Sequence, residues 1–144
     1  MDQRIHFITL ATPDVDAARA FYRDGLGWEP LLDVPGEIIF FQIGAGLVLG
    51  LFDAEKFCAD VAGAVTNPST TGITLSHNVA DTEAVDDVVR LAVAAGATLI
   101  KEPQRADFGG YHGHFADPNG VVWEVCHNPG WSVDDSGRVS LSAI

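Results

Sequence analysis

The sequence predicts a mixed α+β chain in which one unit, a strand, a helix and then two or three strands, is used twice. Three observations carry this. Short runs with a two-residue apolar period, such as Arg4 to Leu10, are followed by runs with helical spacing, such as Val15, Ala18, Phe21 and Tyr22. Ile73-Thr74-Leu75 echoes Ile8-Thr9-Leu10 at an offset of 73 − 8 = 65 residues, and Asp81 stands before the second helix as Asp14 stands before the first. Finally, a single copy would leave one sheet face uncovered. Two copies can form one curved mixed sheet with helices outside and a hollow inside.

The elements follow in order. In the opening strand, Ile8 and Leu10 share one face, and Phe7 and Thr9 the other. Asp14 is placed to cap the first helix, which Gly25 and Gly27 end. Strands at Glu37–Ile43 and Leu47–Phe52 make a hairpin around Gly44-Ala45-Gly46. From Asp53 to Thr71 the pattern weakens, and Asn67-Pro68-Ser69-Thr70-Thr71 reads as the loop between the halves. The second half opens on a strand through Val79. A helix from Thr82 to Ala95 then carries Val85, Val88, Val89 and Ala92 on one stripe and ends at Gly96. A strand at Thr98–Lys101 leads to the closing hairpin, whose turn is Asp117-Pro118-Asn119-Gly120, with Asp to accept backbone bonds and Pro to preset φ. The tail from Gly130 is polar, with a short strand near Arg138–Leu141. The 144 residues form a single domain, with module one at about 4–66, module two at about 72–129 and the tail at 130–144.

Composition removes several function classes. Twenty acidic residues against eight basic ones give a net charge of -12, which repels nucleic acid and anionic membranes. No apolar run approaches the roughly 20 residues of a membrane span. The N-terminus lacks a basic region with a long apolar core, and Cys58 and Cys126 lack metal-ligand spacing, so the expected address is the cytoplasm, with reduced thiols. No phosphate-cradling glycine loop, nucleophile elbow or zinc-finger spacing is present.

Pro13-Asp14, Phe21-Tyr22 and Leu26-Gly27-Trp28 in the first half resemble the vicinal-oxygen-chelate superfamily, which includes glyoxalase I, bleomycin-resistance proteins and extradiol dioxygenases. So do Phe115-Ala116-Asp117-Pro118-Asn119-Gly120, Trp123-Glu124-Val125 and Asn128-Pro129 in the second. The resemblance covers residues 4 to 129 and implies two βαβββ modules, commonly assembled as homodimers. It also implies four metal ligands on the concave face, typically His or Gln, Glu, His and Glu. Glu124 matches the last of these. Phe7 falls at the first, with His6 one residue off and so on the opposite strand face. Leu49-Gly50-Leu51 offers no donor for the second, and the third falls on Gly72 or nearer His77, depending on the alignment. The family's metal centre is therefore expected to be missing. No cofactor is assigned, with a divalent metal as the alternative.

Glu124 interrupts an apolar strand, and it is the candidate catalytic or ligand-anchoring carboxylate. A small organic ligand is expected in the hollow, lined by Phe7, Thr9, Thr74, Ser76, Asn78 and Glu124, with Trp123 as an aromatic neighbour. His77 falls with Leu75 and Val79 on the helix-facing side and reads as a structural histidine. His112 and His114 share a strand face, but no third metal donor is evident beside them. His6 and His127 read as edge residues. Two functions from different classes fit. One is binding or sequestration of a small molecule, for which the acidic surface suits a cationic ligand. The other is an enzyme, either a metal-dependent lyase or dioxygenase, or a metal-free isomerase with Glu124 as a base whose pKa burial would raise.

Overall fold

A computed structural model describes residues 1, 3–61, 73–107 and 109–141; the linker loop expected at Asn67–Thr71 lies outside them, as does Gly72. The first module runs β1 (Phe7–Thr12), α1 (Val15–Arg19) with a π-helical continuation (Ala20–Gly25), β2 (Leu32–Val34), β3 (Ile38–Gly44), β4 (Leu47–Asp53) and α2 (Ala54–Asp60). The second runs β5 (Thr74–Asn78), α3 (Thr82–Ala94), β6 (Thr98–Arg105), β7 (Tyr111–Ala116) and β8 (Val122–His127), and the tail pairs β9 (Trp131–Val133) with β10 (Val139–Leu141).

The duplication is explicit in the topology. The sheets have orders β1-β4-β3-β2 and β5-β8-β7-β6, each with one parallel pair at the edge and antiparallel pairs beyond it. The mixed α+β class holds, as two four-stranded sheets rather than one continuous sheet. The equivalence is shifted from the one the sequence suggests. The helix caps Asp14 and Asp81, which accept from Ala17 and Ala84, stand 81 − 14 = 67 residues apart, and the first strands also start 74 − 7 = 67 apart. Thr9 therefore matches Ser76, paired with Gly50 and Glu124 respectively, and Phe7 matches Thr74. The Ile-Thr-Leu echo is an accident of β-forming composition.

Three elements were not legible, one of them β9, whose three residues are all exposed. Strand β2 is only three residues long, and its Asp33 is chosen for Arg19 rather than for β propensity. Helix α2 falls where the pattern weakens; it buries none of its residues, so no apolar stripe announces it, although Asp53 caps it through Lys56.

The core lies between the sheets. Phe21 and Tyr22 are adjacent in sequence yet 1% and 0% exposed, which a helix facing a single sheet would not permit. Here the helix is sandwiched. Phe21 meets Phe115 of the second sheet, while Tyr22 meets Phe41 of the first and Trp123 of the second. Each such burial stabilises by about 1.5–3 kcal/mol. The hairpin turn closes on itself, with Gly120 donating to Asp117 and adopting a φ of 88° that suits glycine. It also fastens the two modules. Asn119 Oδ1 accepts from Asp14 N at 2.8 Å, and its Nδ2 donates to Asp14 O at 2.8 Å. Tyr22 Oη donates to Asp117 at 2.8 Å and accepts from Trp123 Nε1 at 2.9 Å.

Candidate functional site

Strand alternation sorts the candidate residues onto the two faces of each sheet. In the second sheet, the register pairs Ser76 with Glu124 and Glu124 with His114, so these three lie in one row across β5, β8 and β7. Thr74, Asn78 and His112 share that face. Leu75, His77 and Trp123 lie on the other, toward the helices. Phe7 and Thr9 lie on the face of the first sheet that turns away from its core residues Leu10, Leu49 and Phe41. Phe7 stays 54% exposed there, beside the ring of Phe40 at 5.5 Å.

Glu124 is the hub of a hydrogen-bonded chain. Its Oε2 accepts from Ser76 Oγ at 2.9 Å, and its Oε1 lies 2.8 Å from His112 Nδ1. His112 Nε2 lies 2.9 Å from Lys101 Nζ. An ammonium only donates, so His112 accepts at Nε2 and its Nδ1 carries the proton toward Glu124. His114 Nε2 stops 3.7 Å from the same carboxylate oxygen, and its buried Nδ1 has no hydrogen-bond partner among the described residues. Glu124 therefore supplies the third donor that the His112–His114 pair lacks in the sequence reading. The signal was the strand pairing: His114 sits directly opposite Glu124, and a hairpin register counted from the Asp117–Gly120 turn would have shown it.

The pKa expectation for Glu124 is overturned. Burial pushes its carboxyl up, but the hydrogen bonds from His112 and Ser76 more than offset this, and the result lies below the usual carboxylate range. Burial also pushes the His114 imidazole down, against the pull of Glu124. A carboxylate whose pKa is held down is a weaker base and remains a good cation ligand.

A cleft of about 830 Å³ opens elsewhere, between the helix-facing sides of the two sheets. Trp28, Phe41 and Trp123 give it aromatic walls, and Ile8, Ile43 and Leu75 extend them. Glu29, Gln42, Thr74, Ser76 and His77 supply polar groups. Of the residues expected to line a hollow, Thr74, Ser76 and Trp123 border this cleft, whereas Phe7, Thr9, Asn78 and Glu124 are not among its lining residues. The expectation places the ligand on the inside of the sheet curve. The seam between modules is a second concavity. Beside it, Leu26, His77, Val88 and Leu91 border a smaller cavity of about 200 Å³ under α3, so His77 sits at the helix edge as its strand position implies.

Two duplicated strand–helix–strand modules with a lone carboxylate after an Asp-Pro-Asn-Gly turn define a glyoxalase-type protein. The profile of the Glyoxalase/Bleomycin resistance protein/Dioxygenase superfamily matches residues 4–125, and the chain belongs to that family. A glyoxalase-related enzyme from Fulvimarina pelagi is 35% identical, with a TM-score of 0.86 over 98% of this chain and 99% of that one. A glyoxalase/bleomycin resistance protein/dioxygenase family enzyme from Burkholderia phytofirmans is 27% identical, with a TM-score of 0.73 over 85% and 96%. A lactoylglutathione lyase from Agrobacterium tumefaciens is 27% identical, with a TM-score of 0.63 over 88% and 94%. Among curated proteins, none matches the sequence.

The metal that the family resemblance implies does not fit its usual corners here. With Phe7 matched to Thr74 through the caps, those corners hold a phenyl ring, Leu49-Gly50-Leu51, a hydroxyl and Glu124. One carboxylate is too few for such an ion. No helix among the described residues is long and apolar enough to cross a membrane.

Proposed function

We propose that the protein binds a small, largely apolar organic molecule with a neutral or cationic polar end, in the cleft between its two modules. The observation that supports this is the cleft itself. A volume of about 830 Å³ falls within the usual range for ligand sites, and the walls combine three aromatic rings with a few polar groups that can fix orientation. Glu29 at its border and a net charge of -12 favour cations over anions. Ser76, on the edge strand β5, joins the cleft to the Glu124 chain. Binding is favoured over base catalysis because the hydrogen bonds from His112 and Ser76 lower the basicity of Glu124, which also lies off the cleft wall.

Pairing of two chains belongs to the same reading. Strands β1 and β5 are sheet edges, and Phe7, Leu32 and Ile73 expose apolar surface at or near sheet margins, which a homodimer would cover. Two free thiols accord with the cytoplasm. The test is titration with the neutral fluorophore N-phenyl-1-naphthylamine. Saturable quenching of tryptophan emission, with transfer from Trp28 and Trp123, is expected at one probe per chain. Non-saturable partition into the protein would refute the reading.

A further inference from the structure

The second sheet carries a feature that neither the cleft nor the family pattern uses. We propose that His112 Nδ1, His114 Nε2 and the Glu124 carboxylate, on β7 and β8, form a binding site for one divalent transition-metal ion. One ligand atom from each of the three residues lies within 4.8 Å of the other two. All come from adjacent strands of one hairpin, in a register fixed by the Asp117–Gly120 turn, so the geometry does not depend on a flexible loop. A tetrahedral ion with bonds of about 2.0–2.1 Å holds its donors about 3.3 Å apart. The observed separations of 2.8 Å and 3.7 Å from Glu124 Oε1 to the two imidazoles bracket that value. Sub-ångström side-chain shifts therefore reach it for these two pairs.

Two further observations point to a ligand at this place. His114 is half-buried, and its Nε2 points at the Glu124 carboxylate from 3.7 Å, beyond hydrogen-bonding distance. An ion placed between them would engage the imidazole nitrogen and the carboxylate oxygen at once. In addition, Ser76 holds Oε2 of Glu124, which leaves Oε1 turned to both histidines, as an outer partner orients a metal-binding carboxylate. Two nitrogens and one oxygen select against calcium and magnesium, and they suit zinc, cobalt, nickel or ferrous iron with positions left over for water or an exogenous ligand.

Lys101 opposes the ion. An ion on Nδ1 moves the His112 proton to Nε2, where the ammonium now donates, so the lysine must swing aside. This competition makes a specific test. None of the three proposed ligands lines the aromatic cleft, so the site fails or survives independently of the organic-ligand reading.

The experiment is titration of chelator-stripped full-length protein with cobalt(II), read by its visible ligand-field absorption, with zinc displacement followed by calorimetry. One ion per chain is expected. Glu124→Gln and His114→Ala are each expected to weaken zinc binding by at least tenfold, while Lys101→Met binds at least as tightly as the parent. Circular dichroism establishes that each variant is folded, and Glu124→Asp, which keeps the charge, serves if Gln unfolds the hairpin. Absence of a cobalt spectrum, undiminished binding in folded His114→Ala, or weaker binding in Lys101→Met would each overturn the site.

Discussion

Removing the Asp117 side chain tests how the modules are fastened. Asp117 is 3% exposed, and its carboxylate accepts from Tyr22 Oη at 2.8 Å, Asn119 N at 2.9 Å and Val121 N at 2.8 Å. In Asp117→Ala all three donors lose their acceptor. Tyr22 and Val121 are fully buried, so water cannot replace it for them. Each unsatisfied buried donor costs about 1–3 kcal/mol, giving a loss of roughly 2–5 kcal/mol once relief of carboxylate burial is allowed for. For a chain of this size that lowers Tm by roughly 6–20 °C. Asp117→Asn keeps the oxygen that serves the two backbone amides. Its amide group would face a tyrosine oxygen already engaged by Trp123, stranding one hydroxyl proton, so about 1–3 kcal/mol is expected. The pH dependence has a definite sign. Burial raises the Asp117 pKa, so its contribution is full below the unfolded value and is lost as pH rises through the folded one. The parent's advantage over Asp117→Asn therefore narrows as pH rises from about 4 toward neutrality. Scanning calorimetry of the three proteins across that range is the assay. A Tm within about 3 °C of the parent for Asp117→Ala, or an advantage over Asn that widens with pH, would refute the reasoning.

Gly25→Ala would place a Cβ 2.6 Å from Ala95 Cβ and 3.3 Å from Ala95 Cα, where the two helix ends meet. A loss of about 1–3 kcal/mol in urea titration is expected, partly recovered in Gly25→Ala/Ala95→Gly. Asp33 receives Arg19 Nε at 2.9 Å and Nη2 at 2.6 Å, and Asp33→Asn should cost about 1–3 kcal/mol. The hydrogen bond from Arg19 holds the Asp33 pKa down, so its stabilisation is present above about pH 4 and is lost as pH falls through the folded value. Urea midpoints of parent and Asp33→Asn should converge on acidification, the reverse of the Asp117 trend.

Much of the fold was legible because it rests on local chemistry. Asp14 and Asp81 cap helices, Gly96 with a φ of 108° follows one, and the Asp-Pro-Asn-Gly turn builds a hairpin, each from residues a few positions apart. Glu124 was legible as a carboxylate interrupting an apolar strand. What could not be read were its neighbours. Lys101 reaches His112 across a strand pair whose register shifts between Leu99 and Gln104, and no count along the sequence passes through such an irregularity. The cleft was hidden for a related reason. Trp28 and Trp123 are 95 residues apart (123 − 28 = 95), yet both line its wall, and only the docking of one module on the other brings them together.

Ligand binding in that cleft is tested most directly by comparing N-phenyl-1-naphthylamine affinity in the parent, in Ile43→Asp, which sets a charge on the cleft wall at a partly exposed position, and in Phe7→Ser, on the opposite sheet face. Binding at least tenfold weaker in Ile43→Asp and unchanged in Phe7→Ser is expected. Equal affinity in all three proteins, or loss in Phe7→Ser alone, would contradict it.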